Sequence, residues 1–224
     1  IDLLTLACVP GLGPRASSEL AARGPLAGVL ARPGEHADLL GAPALDALRT
    51  GSARREAEAE VRRATAIGVR IVGRDEADYP AWLQRVYAVP PVLWVRGALV
   101  AAEGERAVAV VGSRAATALG TAFARALARD LAAAGVTVVS GLARGIDTAA
   151  HLGALDARGR TVAVLGSGLD RLYPPENAAL ARAIAADGAV VSEFPLGTSP
   201  WKGNFPRRNR VIAGWARATV VVEA

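Results

Sequence analysis

The sequence predicts an α/β fold, in which a parallel sheet carries helices on both faces and is preceded by a small all-helical domain. From Val69 onward, short apolar runs alternate with helical stretches, which is the pattern of a parallel sheet. Residues 1–66 instead show helical patterns punctuated by glycine and proline. A chain of 224 residues is long enough for one large and one small domain. We therefore place the two domains at 1–66 and 67–224.

The composition is that of a folded globular chain, with 52% apolar and 21% charged residues. No apolar run is long enough to span a bilayer, and the first residues lack the basic region of a signal peptide. We therefore expect a cytoplasmic protein with no membrane partner. A single cysteine, Cys8, excludes an intramolecular disulfide, and with two histidines it argues against a Cys/His zinc site.

The helical N-terminus contains one turn with possible chemistry. Gly11 and Gly13 flank this turn and precede a helix with periodic apolar residues. The pattern resembles half of a helix-hairpin-helix, in which backbone N–H groups of the turn bind a phosphate. A structural turn between packed helices is the alternative. Further on, residues 53–66 carry charges of alternating sign, which predicts a solvated helix with ion pairs between residues four apart.

Seven apolar runs predict seven strands. They are VRIV (69–72), VLWV (92–95), VAVV (108–111), VTVV (136–139), TVAVL (161–165), AVVS (189–192) and TVVVE (219–223). Helices are expected between the later strands, at about 115–134, 145–158, 176–187 and 206–216. Ligands of such sheets bind at the carboxyl ends of the strands, so the residues that follow each strand are the candidates for function.

The stretch Val108–Arg114 combines a buried strand with a possible anion site. Ser113 is predicted to cap a helix whose periodic apolar positions are Leu119, Phe123, Leu127 and Leu131. Free backbone N–H groups after Gly112, together with the helix dipole and the Arg114 cation, would bind an anion. A turn that binds nothing is the alternative.

The segment between the last two predicted strands carries only positive charges. The whole chain has a formal net charge of +5, and no acidic residue lies between Phe194 and Val222. The five cations of that segment are Lys202, Arg207, Arg208, Arg210 and Arg217. Three of the arginines are predicted in the first turn of a helix, where cations oppose the helix dipole and call for an anion. Trp201 and Phe205 supply stacking surfaces beside them, as in grooves that hold single-stranded nucleic acid.

Signals for catalysis are weak. The first strand of the alternating region is not followed by G-x-G-x-x-G, and G-x-x-x-x-G-K-[ST] is absent from the sequence. Asp147 is placed to cap a helix or complement its dipole, and His151 lies in an Ala/Leu-rich segment that predicts packing. Glu193 and Glu223 end strands without a second acid or a nucleophile nearby in the sequence. We therefore predict no catalytic residue, no cofactor and no metal.

Five motifs in register resemble the DNA-processing protein A (DprA/Smf) family. They are GSR (112–114), SGLARGID (140–147), SGLDRLYP (167–174), SEFPLG (192–197) and NFPRRNRVIAG (204–214). The similarity covers about 69–224, and YP…PPVLWVRG (79–97) agrees with the family's entry into the domain. The helical N-terminus resembles the family's sterile-alpha-motif-like (SAM) domain more loosely. The family's sequence continues with SGSL after VVVEA, so the resemblance implies a C-terminally truncated chain.

The resemblance implies an extended Rossmann domain that binds and protects incoming single-stranded DNA without catalysis. It also implies a homodimer that loads RecA recombinase during natural transformation of competent cells. The DNA-binding residues carried over by motif are Arg114 and Lys202 as phosphate contacts, Arg144, Arg208 and Arg210 as further cations, and Ser113, Gly141 and Asn209 as short polar or backbone contacts. The alternative is a Rossmann-like nucleotide-processing enzyme of the nucleoside-monophosphate hydrolase type. The PGGxGTxxE stretch of the lonely-guy phosphoribohydrolases, which share that architecture, has no match here.

Overall fold

The computed structural model describes residues 1–223, so Ala224, the last residue of the predicted second domain, lies outside the described residues. The helices in that range are α1 (Asp2–Ala7), α2 (Pro14–Ala22), α3 (Leu26–Ala31), α4 (Ala42–Arg49), α5 (Ser52–Ala66), α6 (Ala118–Ala133), α7 (Ile146–Asp156), α8 (Ala178–Asp187) and α9 (Asn204–Trp215). The strands are β1 (Arg70–Gly73), β2 (Val92–Gly97), β3 (Ala107–Gly112), β4 (Thr137–Ser140), β5 (Thr161–Leu165), β6 (Ala189–Ser192) and β7 (Ala218–Val222). Each predicted strand is present, which confirms the α/β prediction.

The strands form a single sheet in the order β1-β2-β6-β5-β4-β3-β7. Strands β3 to β7 pair in parallel, with Val110 opposite Val220 across β3 and β7, for example. Strands β1 and β2 differ from the predicted parallel arrangement, because both of their pairings are antiparallel. Parallel neighbours need a long crossover, usually a helix. Residues 74–91 between β1 and β2 hold only a short 3-10 helix, Ala81–Arg85, and return the chain directly.

Helices cover both faces of the sheet. Helix α9 packs on one face, where Val211, Ile212 and Trp215 join a core with residues of β2 to β6. The opposite face is covered by α5 to α8 in two adjoining clusters of buried residues. Helix α9 is therefore the crossover that carries the chain from β6 back to β7 on the far side of β3. Its N-terminal end lies at the carboxyl ends of the central strands.

Helix α6 buries a different stripe from the predicted one. The predicted residues Leu119 and Phe123 are 80% and 54% exposed. The buried stripe is instead made of small residues, Gly120, Ala124, Ala128 and Ala132. These allow close approach to α7, and a Cβ added at Gly153 of α7 would lie 2.1 Å from a backbone oxygen of α6. The buried residues recur with the predicted helical period, but each lies one position after a predicted apolar residue. Small residues occupy these positions because α6 and α7 pack closely.

The N-terminal helices α1 to α5 confirm the all-helical prediction for residues 1–66, while the division into domains remains a prediction. Leu6, Leu20 and Leu40 belong to a core of their own. Helix α5 is not simply solvated, since Glu60 is fully buried and accepts a hydrogen bond from the N–H of Leu196 at 2.6 Å. This bond joins the helical part to the loop after β6. Within residues 1–223, no helix combines the length and apolarity that crossing a bilayer requires.

Candidate nucleic-acid interface

A cavity of about 300 Å³ lies at the carboxyl ends of the central strands. Four of the predicted site residues line it: Arg114 after β3, Gly141 and Arg144 after β4, and Arg208 from α9. Gly166 after β5, Tyr173, Pro174 and Phe205 complete most of the wall. We call this space the Arg114 cavity. It occupies the position where parallel α/β sheets bind their ligands.

Arg114 and Phe205 form the exposed side of this cavity. The Cζ atom of Arg114 lies 4.7 Å from the centroid of the Phe205 ring, which is a cation–π distance. The ring centroids of Tyr173 and Phe205 are 6.1 Å apart, and the rings are tilted by 46°. Within residues 1–223, Arg114 is exposed and has no carboxylate partner. A permanent cation and two aromatic rings therefore face the same space.

Ser113 does not play the predicted capping role. Helix α6 begins at Ala118, and its cap is Thr117, whose Oγ1 accepts a hydrogen bond from the N–H of Gly120 at 3.0 Å. The N–H of Ser113 donates to the backbone oxygen of Glu223 at 2.8 Å. The Ser113 amide is therefore engaged in the β3–β7 pairing, and the predicted capping role of Ser113 is wrong. The anion site at this turn remains a prediction.

Arg208 lies beneath the cavity as a buried cation, although a rim position was expected. It is 3% exposed, and its Nη1 donates hydrogen bonds to the carbonyl oxygen of Gly141 at 2.7 Å and to that of Val164. Burial lowers its pKa to about 10, so the side chain remains charged at neutral pH. A Cβ at Gly141 would come within 2.6 Å of the guanidinium, which explains why glycine stands there.

The loop after β4 is held by two buried polar side chains. Asp147 accepts a hydrogen bond from the N–H of Gly141 at 3.1 Å, and Asn177 Nδ2 donates to the carbonyl oxygen of Leu142 at 2.9 Å. Burial raises the pKa of the Asp147 carboxyl, and the nearby Arg208 charge is the leading opposing effect. Asp147 therefore orders the cavity wall, in keeping with its predicted structural role at the start of α7.

His151 is packed, as the sequence predicts. It is fully buried, and its Nδ1 lies 2.7 Å from Oγ1 of Thr161. Burial lowers the pKa of His151 to about 3, so the ring is neutral over the physiological range. A group that is enclosed and neutral in this way has no access to a substrate.

The remaining predicted contacts lie around the cavity or away from it. Arg144 forms an exposed ion pair with Glu176. Lys202 is exposed in the turn before α9 and is not part of the cavity wall. Asn209 is also exposed outside the wall, and its Oδ1 accepts a hydrogen bond from Arg208 Nε at 3.3 Å. Their roles in DNA binding remain predictions.

Arg207 and Arg210 face a different neighbour. Arg207 Nε donates to Glu193 Oε2 at 3.3 Å, and Arg210 forms an ion pair with the same oxygen. Helix α9 begins at Asn204, so Arg207 lies at the end of its first turn, as predicted, whereas Arg208 and Arg210 lie in the second turn. The anion expected near them is in part this buried carboxylate. Burial raises the pKa of Glu193, and the positive charges of Arg210 and, to a smaller extent, Arg207 oppose this rise. The pairing joins residues 14 and 17 positions apart, which no local pattern reveals.

Known proteins resemble this chain in sequence. The family model described as DNA recombination-mediator protein A matches residues 70–224. Protein Smf of Synechocystis is 47% identical over 153 residues, which cover 67% of this chain and 38% of that protein. The DNA processing protein DprA of Bacillus subtilis is 36% identical over 156 residues, which cover 70% of this chain and 52% of that protein. The chain thus spans about 38% to 52% of the length of these curated relatives.

Two solved structures are similar to this chain in fold. The X-ray structure of DNA processing protein A from Streptococcus pneumoniae superposes with a TM-score of 0.82 at 31% identity, covering 100% of this chain and 78% of that one. A structure of DNA processing protein A from Helicobacter pylori, reported for its single-stranded DNA binding mode, gives a TM-score of 0.60 at 27% identity and covers 68% of each chain. With a family model that covers most of its length, this chain belongs to the DNA recombination-mediator protein A family.

Proposed function

We propose that this chain binds single-stranded DNA in the Arg114 cavity, without catalysis. The observation that carries the proposal is the exposed Arg114 guanidinium, stacked 4.7 Å from the Phe205 ring centroid at the mouth of a cavity near 300 Å³. The single-stranded DNA binding mode described for the H. pylori protein supports the same ligand.

The chemistry of the wall suits a nucleotide strand. Arg114 neutralises a backbone phosphate, while Phe205 and Tyr173 offer ring faces on which an unpaired base stacks. Such stacking contributes about 1–3 kcal/mol per base and tolerates every sequence. The buried Arg208 charge adds positive potential from below. Phosphate contacts of this kind position a strand and carry no sequence information.

Salt dependence tests the electrostatic part of the proposal. Four neutralised phosphates would give a log–log salt slope of about −2.8 for a single strand. Arg210 is paired with Glu193 and Arg208 is buried, which leaves Arg114 and Lys202 as the predicted contacts that are exposed and lack a carboxylate partner within residues 1–223. Two contacts predict a slope of about −1.4, so that doubling the salt weakens binding ~2.6-fold.

The measurement is fluorescence anisotropy of a labelled 20-nucleotide oligothymidylate. Arg114→Ala is expected to weaken binding and to reduce the slope by about 0.7. Arg129→Ala is the matched control, because it removes an exposed guanidinium from the far half of α6. An affinity that is independent of salt, or an Arg114 variant that binds like the Arg129 variant, would refute the proposal.

We further propose that the bound strand is passed to RecA recombinase in the cytoplasm during DNA uptake, and that the chain acts as a homodimer. The family description as a recombination mediator supports a role in transfer to a recombinase. RecA ATP hydrolysis on DNA coated with single-strand-binding protein is expected to start sooner with the wild type than with Arg114→Ala. Sedimentation equilibrium is expected to give twice the chain mass. Equal lag times, or a monomer mass, would contradict these two points.

The rival role, a nucleoside-monophosphate hydrolase, has a direct test. Asp147 and His151 are 5% and 0% exposed, and Asp147 accepts hydrogen bonds from the N–H groups of Gly141 and Ala143, so neither side chain can reach a substrate. We expect no free base to be released when the protein is incubated with nucleoside monophosphates. Release of base would show that the proposal of binding without catalysis is wrong.

A further inference from the structure

A second cavity lies between the N-terminal helical part and the sheet. It has a volume of about 350 Å³ and lies between the turn at Gly11–Gly13 and the cluster of Glu193, Arg207 and Arg210. Phe194 and Pro91 contribute apolar wall. None of the residues that line the Arg114 cavity lines this one, which we call the junction cavity. The glycine turn with the pattern of a phosphate-binding hairpin therefore faces the cationic helix.

Positive groups on both sides of the junction cavity favour an anion. Helix α2 is nine residues long and starts directly after Gly13, with no side chain capping its N-terminus and no acidic residue in its first turn. The N–H groups of a first helical turn have no partner within the helix and carry a partial positive charge. In α2, Pro14 has no N–H and the Ser17 N–H donates to the Gly13 carbonyl oxygen at 3.0 Å, so the N–H groups of Arg15 and Ala16 are the ones that a ligand can use. Arg207 and Arg210 add two guanidinium groups against the single carboxylate of Glu193.

The side of the junction cavity formed by Glu193 and Arg210 has unused hydrogen-bonding groups. Both arginines use Oε2 of Glu193, and Oε1 of this carboxylate is buried without a partner among the described residues. Glu193 is 6% exposed. Arg210 Nη1 is a second buried atom without a partner in the described part of the chain. A buried acceptor and a buried donor on adjacent side chains call for a ligand that supplies one of each.

We propose that the junction cavity binds a nucleotide of the same DNA strand, and this rests on the proposed function. Its phosphate lies against the first turn of α2 and Arg207. The Watson–Crick edge of its base faces Glu193 and Arg210, because every base carries an N–H donor and an acceptor on that edge. Base pairing occupies this edge in a duplex, so the junction cavity selects single strands.

The two cavities lie close enough for one strand. Phe205 and Arg208 face the Arg114 cavity, while Arg207 and Arg210 face the junction cavity. The two sites are therefore separated by the N-terminal half of α9, and an α-helix is about 10–12 Å across with its side chains. A strand that crosses this part of α9 reaches both sites within a few nucleotides.

Substitution of Gly13 gives a sharp test. The residue has φ −74° and ψ 164°, and a Cβ added there meets no atom within 4 Å. Gly13→Asp and Gly13→Asn both place a favoured capping residue before α2, so both variants are expected to fold. The two differ in charge at the proposed phosphate position. We expect Gly13→Asp to weaken binding of the 20-nucleotide oligothymidylate at least fivefold and Gly13→Asn by twofold or less.

Strand selectivity gives a second test. We expect Glu193→Gln to lower the ratio of single-strand to duplex affinity at least threefold, measured with a 20-nucleotide strand and its duplex. A purely structural role of Glu193 would weaken both affinities together and leave the ratio unchanged. An unchanged ratio therefore overturns the base contact.

The outcomes separate this inference from the function on which it rests. If Arg114→Ala weakens binding while Gly13→Asp and Gly13→Asn both bind like the wild type, the junction cavity holds no phosphate and the proposed function stands. If the wild type fails to bind the oligonucleotide, both are wrong. Weakening by Gly13→Asp that fades at high salt, with Gly13→Asn near the wild type, supports the junction site.

Discussion

Arg208 offers a test of whether a site cation acts on the ligand or on the fold. Its guanidinium is 3% exposed and donates to the carbonyl oxygens of Gly141 and Val164, with the buried Asp147 carboxylate as a favourable neighbour. Arg208→Met keeps the length and apolar volume of the side chain while removing the charge and the hydrogen bonds to both carbonyl groups. The variant leaves two carbonyl groups and one buried carboxylate without this partner.

The expected loss of stability follows from these contacts. Hydrogen bonds from a charged donor contribute about 1.5–3 kcal/mol each, and removing one side of a buried charge pair costs about 3–5 kcal/mol. The two figures describe overlapping effects, so we expect a loss of about 3–5 kcal/mol in the free energy of unfolding. For a chain of this size, that lowers Tm by about 6–20 °C.

Urea unfolding followed by circular dichroism measures this loss. Arg114→Ala is the comparison, because its exposed guanidinium has no carboxylate partner within residues 1–223, and we expect a change within about 0.5 kcal/mol. The reasoning is refuted if Arg208→Met costs less than about 1 kcal/mol, or if Arg114→Ala costs as much as Arg208→Met.

Three further predictions concern buried polar groups. The unfolded state protonates His151 near pH 6.5, but the native state does so only near pH 3. The free energy of unfolding therefore falls as the pH drops between these values, by up to about 1.4 kcal/mol per pH unit. His151→Gln should remove this slope, which unfolding free energies measured at several pH values would show. Glu60→Ala removes the charged acceptor of the Leu196 N–H and should lower the unfolding free energy by about 1.5–3 kcal/mol in urea titrations. Gly141→Ala forces the Arg208 guanidinium to move and should cost about 1–3 kcal/mol by the same measurement, whereas a neutral result would show that the loop yields freely.

Sequence patterns predict the strands well because the sheet is buried on both faces. Apolar runs such as 108–111 and 161–165 coincide with β3 and β5 to within a residue at each end. The antiparallel pairing of β1 and β2 could not be predicted in this way, because an apolar run does not show whether a strand runs parallel or antiparallel to its neighbour. The buried stripe of α6 was also missed, because alanine and glycine carry little hydrophobic signal and pack only where a neighbouring helix comes close.

The site could be predicted in part. Motif positions placed Arg114, Gly141 and Arg144 at one end of the sheet, and the structure brings them to one cavity. The partners of the α9 arginines could not be predicted. Glu193 meets Arg207 and Arg210 through the tertiary fold, at a strand end that carries no local signal. The burial of Arg208 likewise depends on how α9 crosses the strand ends.

The burial of Arg208 also explains how α9 shapes the Arg114 cavity. The carbonyl oxygens of Gly141 and Val164 lie at or next to the carboxyl ends of β4 and β5, and the guanidinium joins both to α9. Phe205 precedes Arg208 by three residues and therefore lies on the same side of the helix. Holding Arg208 in place thus holds the Phe205 ring beneath Arg114. The buried cation positions the surface on which the exposed cation rests, so the ligand binding that we propose at Arg114 would depend on a residue whose Nη1 bonds are to backbone carbonyl groups at the ends of β4 and β5.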